Sequence, residues 1–126
     1  MTPSEIITED QKRFGHSQED TARLLETMVA MKNKHQAIVI QFNDSVLFLI
    51  NLGKGCGEIN FFTCDTPQKV KSAMQHFIKE TKKGGFKRVY GEDGGPILQK
   101  TLQLLTSLGL KIQNSNIERY KWMADL

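Results

Sequence analysis

The chain has 126 residues and a mass of 14.3 kDa, enough for one hydrophobic core and too short for two. With 39% hydrophobic residues, 25% charged residues and a mean hydropathy of -0.38, it has the composition of a soluble globular domain and not of a disordered segment. No apolar run nears the roughly 18–20 residues of a membrane span, and the formal charge of +3 is uneven: residues 1–63 hold 6 Lys+Arg against 8 Asp+Glu, residues 64–126 hold 11 against 6.

The first residues, Met1, Thr2, Pro3, Ser4 and Glu5, show no basic stretch followed by an apolar core, so synthesis in the cytoplasm is expected. Residues 4–8, with Ile6 and Ile7, suggest a short edge strand, and residues 9–14 one helical turn before Gly15. Ser17 can cap a helix over residues 18–32, with Glu19 and Asp20 at the positive end of its dipole and Ala22, Leu24, Leu25, Met28 and Val29 as its buried stripe. Residues 35–42 are rich in β-branched side chains and read as a strand. After a turn at Asn43, Asp44 and Ser45, residues 46–51 return as its hairpin partner, apolar enough to be covered on both faces. Gly53, Gly55 and Gly57 are not a phosphate loop, because no Lys-Ser/Thr follows and the next element is a strand, residues 58–63; a hairpin turn accounts for them.

Thr66 and Pro67 then open a helix whose buried positions are Val70, Ala73, Met74, Phe77 and Ile78, and which ends at Gly84 and Gly85. A strand over residues 86–90, a loop through Glu92 and Asp93, and a last helix from Pro96 follow; Ile97, Leu98, Leu102, Leu105 and Leu108 form its stripe and Gly109 stops it. Residues 110–113 and 117–123 close the chain as two strands. The second of these, with Tyr120 and Trp122, is either an edge able to pair with another protomer or a core element. From residue 57 to 109 this is a βαβα run with two neighbouring parallel strands, and a phosphate or cofactor would sit at its first strand-to-helix junction.

Few residues offer chemistry. Cys56 and Cys64 flank one strand, roughly 20 Å or more apart and beyond disulfide reach. His16, His35 and His76 are scattered, so no metal site is expected. Lys69, Lys71, Lys79, Lys82, Lys83, Lys87 and Arg88 make a basic face that fits a solvated helix better than a nucleic-acid groove, since no aromatics interleave with them; nucleic acid stays an open partner. Cys64 at a helix start could have a depressed thiol pKa, which the neighbouring Asp65 opposes.

The element order, together with Ser107, Leu108, Gly109 and Leu110 leaving the last helix, resembles the Gcn5-related N-acyltransferases, over roughly residues 4–123. The resemblance implies an α+β, three-layer α/β/α domain over residues 1–126 with a mixed, mostly antiparallel sheet. Within that superfamily the stretch from Gly55 to Thr63 is similar to acyltransferase-like virion proteins of short-tailed double-stranded DNA phages. Active members hold the CoA pyrophosphate on a Gln/Arg-x-x-Gly-x-Gly/Ala loop. The matching residues, Cys64 to Val70, lack glycine, place Asp65 beside the anion and lose an amide at Pro67; Thr66, Gln68 and Lys69 are the weak candidates for contact. The family's proton-donating tyrosine falls on Leu105 and its asparagine near Leu98. Glu58, or Glu92 and Asp93, are the weak candidates for a general base. The resemblance thus implies a non-catalytic assembly part without cofactor, made in the host cytoplasm and carried into a virion. Its partners would be other virion proteins or copies of itself. The alternative is a divergent acetyl-CoA-dependent N-acetyltransferase. That reading needs a gap between the strands near Phe62, Thr63, Arg88 and Val89, and free amides among residues 66–70.

Overall fold

The structure, a computed structural model, describes residues 1–126, the side chain of Pro96 excepted. In chain order the elements are α1 (Pro3–Arg13), α2 (Gln18–Asn33), β1 (Ala37–Phe42), β2 (Ser45–Gly53), β3 (Cys56–Thr63), α3 (Pro67–Lys83), β4 (Arg88–Gly91), a 3-10 turn (Gly95–Ile97), α4 (Leu98–Ser107), β5 (Ile112–Asn114) and β6 (Trp122–Asp125).

The expected edge strand at residues 4–8 is instead the first half of α1. Thr2 accepts from the Glu5 amide while the Glu5 side chain accepts from the Thr2 amide, and Pro3 takes the first helical position. That reciprocal cap satisfies two orphan donors and outweighs the β-branched pair Ile6 and Ile7, which become the buried face of the helix. In α2 the buried face is rotated from the expected stripe: Thr21 and Met28 are buried and Leu24 and Leu25 half-buried, whereas Ala22 and Val29 are exposed.

The six strands form one sheet in the order β1-β2-β3-β4-β6-β5. Every pairing is antiparallel except β3 with β4. Lys54 and Gly55 join β2 to β3 with φ of 55° and 76°, the positive-φ pair that a two-residue hairpin turn requires, so the glycines serve a turn. Successive side chains of β2 point to opposite faces. Val46 and Phe48 meet Ile6, Ile7 and Met28 under α1 and α2, while Leu47 and Leu49 meet Ala73 and Phe77 under α3. The result is the three-layer α/β/α arrangement. A further cluster of Met74, Val89, Leu98, Leu105 and Trp122 fixes α4 to the sheet.

The expected strand over residues 117–123 shortens to Trp122–Asp125 and lies inside the sheet, between β4 and β5. It is therefore not an edge that could accept another protomer, and Trp122, at 4% exposure, belongs to the core. The sheet's edges are β1 and β5.

Candidate functional site

β3 has eight residues and β4 four, and they pair only over Cys56–Glu58 with Arg88–Tyr90. Beyond that point β4 ends at Gly91 and the chain leaves the sheet. Residues 59–63 are left with no strand beside them on that edge, and a cleft of ≈ 780 Å³ opens there. The gap lies at Phe62 and Thr63, while Arg88 and Val89 belong to the paired segment.

The cleft is lined from several sides. Residues Asn60 to Thr63 of β3 form one wall; Ile97, Leu98, Thr101 and Leu104 of the 3-10 turn and α4 face them, with Lys100 beside them and Trp122 below. Pro67, Val70 and Met74 of α3 close one end, and Asp10, Gln11, Arg13 and Phe14 of α1 close another.

Thr63 holds the outer end of this open edge. Its amide donates to Asp10 Oδ1 at 3.3 Å and its carbonyl accepts from Arg13 at 3.2 Å, so α1 supplies with side chains what a neighbouring strand would supply with backbone. Residues two apart on a strand direct their backbone groups to the same edge, so Phe61 presents its amide and carbonyl to the cleft. Burial pushes the Asp10 carboxyl above its usual range, opposed by the Thr63 amide and by Arg13. An acid with a raised folded-state pKa contributes stability that is complete below its unfolded value and is lost as pH rises through the folded one. Urea melts of the wild type and Asp10→Asn are expected to show the wild type losing ground to the variant as pH rises from about 3 through mild acid. A difference independent of pH would remove this account of Asp10.

At the junction of β3 and α3 the Asp65 carboxylate is held by the β1–β2 turn. It accepts from the Asp44 amide at 3.1 Å and the Ser45 hydroxyl at 2.7 Å, stapling the β1–β2 turn to the loop. Thr66 sits at the N-cap position but its side chain makes no capping bond, so the loop is less completely capped than the sequence suggests. The Val70 amide bonds to the Thr66 carbonyl, while among the described residues no acceptor meets the amides of Gln68 and Lys69. With Pro67 lacking a donor, these two free amides stand at the positive end of the 17-residue α3, whose Pro67 and Val70 line the cleft. The Gln68 and Lys69 side chains are exposed beside them.

Glu58 is not a solvated strand end. It is 4% exposed, one residue before the strands part. Its Oε1 accepts from the Tyr120 hydroxyl at 2.8 Å and faces the Arg119 guanidinium at 3.3 Å; its Oε2 accepts from the Asn60 side-chain amide at 2.8 Å. Burial, and then the hydrogen bond to Glu58, push the Tyr120 phenol up to about 12, so it remains a donor to this carboxylate across the neutral range. Arg119 also binds Glu92 at 3.0 Å, which ties Glu92 into the same group, whereas Asp93 is exposed and accepts from the Gly95 amide. Asn60, Arg119 and Tyr120 carried no motif in the sequence; only the sheet register brings residues some sixty positions apart together.

Leu105, the position matched to the family's tyrosine, is fully buried in the core, and Leu98 is 9% exposed beside it. The face of α4 turned to the cleft carries Thr101 and Leu104 instead, without a phenol. The Cys64 thiol is half-buried and pushed up by burial, with Asp10 adding to the effect; its Sγ faces the Ile6 carbonyl at 3.6 Å, the environment of a packing cysteine. Among the described residues no three or more His, Cys, Asp or Glu side chains converge as a metal would need, and no helix is long and apolar enough to cross a membrane.

No protein-family model matches the sequence, and no curated protein matches it. Solved structures do match. A Bacillus subtilis acetyltransferase in complex with CoA superposes over 77% of this chain and 79% of its own, with a TM-score of 0.52 and 16% identity. A microcin C7 self-immunity acetyltransferase in complex with acetyl-CoA and AMP covers 97% and 81%, with a TM-score of 0.58 and 13% identity. The fold is that of the Gcn5-related N-acetyltransferases. A spermidine N-acetyltransferase chimera from Vibrio cholerae shares it, with a TM-score of 0.54 over 89% of this chain and 78% of that one, at 12% identity. At such identities the likeness is one of N-acetyltransferase architecture alone.

Proposed function

We propose that this chain binds an acyl-CoA in the cleft between β3 and β4 and transfers the acyl group to an amine. The observation that carries this reading is the parting of the two strands after Glu58 and Tyr90, next to a helix N-terminus with two unclaimed amides. The amides of Gln68 and Lys69 would meet the pyrophosphate, aided by the Lys69 side chain. The backbone edge at Phe61 would pair with the amides of the pantetheine arm in the manner of an added strand, with Thr63 and its α1 clamp marking the end of the free edge. The cofactor supplies an activated thioester. The chain supplies orientation and a cleft walled by Phe61, Phe62, Leu98 and Trp122 that limits water. With no phenol on the cleft face of α4, the departing thiolate would take its proton from water, at the expense of the roughly 10²–10⁴-fold that a placed acid contributes. Slow turnover is the corollary.

Calorimetry with acetyl-CoA and desulfo-CoA tests the binding step. Micromolar affinity is expected, with Lys69→Glu weakening it by about tenfold, since a like charge replaces an attractive one beside the diphosphate. A second reading, a non-catalytic assembly component such as a virion part, draws on Leu105 and on the absence of glycines from Cys64 to Val70. The similar structures are acetyltransferases and add nothing to that reading. Absence of acetyl-CoA binding at millimolar concentration would reject the first proposal and leave the second.

A further inference from the structure

We infer that Asn60 is a positioning residue that holds the attacking amine through its side-chain carbonyl, with Glu58 fixing the direction in which that carbonyl points. The inference rests on the acyl-CoA reading above. An amide side chain can face its surroundings in two ways that differ little in shape, and here the choice is forced. The Glu58 carboxylate is an acceptor, held in place by the Tyr120 hydroxyl and the Arg119 guanidinium, and Asn60 meets it at 2.8 Å. The Asn60 nitrogen must therefore face Glu58, which turns Oδ1 the other way. No donor reaches Oδ1 among the described residues, yet every buried side-chain nitrogen or oxygen among them has a partner. Oδ1 is thus open, and Asn60 lines the cleft two residues past the last rung between β3 and β4.

The carboxylates that line the cleft and the Thr63 hydroxyl are committed. Asp10 is taken by Arg13 and the Thr63 amide, Asp65 by Asp44 and Ser45, and the Thr63 hydroxyl by Ser45 and the Asp65 amide. The Asn60 carbonyl stands beside Phe61, Phe62 and Trp122, where it can accept from an N–H that takes the place of solvent. It suits a neutral amine, one N–H bonded to Oδ1 and the nitrogen lone pair directed at the thioester carbon. The C–N bond forms as the C–S bond breaks, the thiolate departs, and the surplus amine proton passes to water; Asn60 takes no proton.

The test uses the full chain and a bisubstrate conjugate, CoA whose sulfur is joined through an acetyl bridge to butylamine, so that its amide N–H stands for the N–H of the amine. The conjugate is expected to bind the wild type about fivefold to tenfold more tightly than CoA. Asn60→Leu should erase that advantage while leaving CoA affinity within about twofold. If the leucine variant does not fold, Asn60→Ser, which withdraws the oxygen, serves the same comparison. A conjugate that binds the wild type no better than CoA overturns the inference. So does an advantage that survives Asn60→Leu, or a loss shared equally by CoA and conjugate. If the wild type binds neither compound, the acyl-CoA reading fails first and this inference with it.

Discussion

Replacing Gly91 with alanine is expected to cost about 2–3 kcal/mol and to disorder one side of the cleft. A Cβ built at Gly91 overlaps the indole Cε2 and Nε1 of Trp122, its cross-strand partner, far inside van der Waals contact. The indole cannot slide away cheaply, since it is 4% exposed and wedged among Met74, Leu98 and Leu105. Alanine's better intrinsic fit to a strand, worth about 0.5–1 kcal/mol, does not offset such an overlap. Trp122 is the chain's single tryptophan, so its emission reports the displacement directly and should shift to the red. Trp122→Leu removes the clashing ring, and in that background G91A should add little; a double-mutant cycle is expected to show coupling of about 2 kcal/mol. Additive effects, or an unshifted emission in a stable G91A protein, would mean that Gly91 is not there to admit the indole.

The second large effect concerns the position where the family's tyrosine would fall. Leu105→Ala is expected to cost about 2–5 kcal/mol, the range for emptying a fully buried leucine site. Leu105→Tyr should not install a general acid. The ring needs more volume than the core cluster offers and its hydroxyl would lie among Met74, Val89 and Leu110, a combination expected to cost about 2–4 kcal/mol. Leu104 is half-buried and faces the cleft, so Leu104→Tyr should be close to neutral in stability and is the substitution able to deliver a phenol there. Thermal melts of the three variants separate these cases. A stable L105Y protein with faster acetyl transfer than wild type would show that α4 sits rotated from its present setting.

Much of the fold was legible in the chain. Thr66 and Pro67 start α3 and Gly84 ends it; the apolar run from Val46 to Ile50 announces a strand covered on both faces; the glycines from Gly53 to Gly57 mark a hairpin. These signals are local, each a matter of φ, a missing amide or an apolar period. The same kind of evidence misled where two local signals competed. Ile6 and Ile7 favour a strand, but the cap built by Thr2, Pro3 and Glu5 nucleates a helix whose buried face those two side chains then occupy. Within the site, the absence of glycine between Cys64 and Val70 and the absence of a tyrosine at Leu105 were readable residue by residue. The open amides of Gln68 and Lys69 were not, because a good capping residue at Thr66 implies a bond that its side chain does not make.

The amino-acid sequence alone determined most of the elements and their order, α1 excepted, because caps, turns and apolar periods act over a few residues and need no distant partner. Only the tertiary structure decided where β3 and β4 separate and which way Asp65 and Asn60 point. It also decided that Glu58 is buried beneath Tyr120 and Arg119, a contact spanning 62 positions of chain. A strand's pairing partners, and hence its free edge and the burial of its charged residues, are set by register across the whole sheet, which no short stretch of residues encodes.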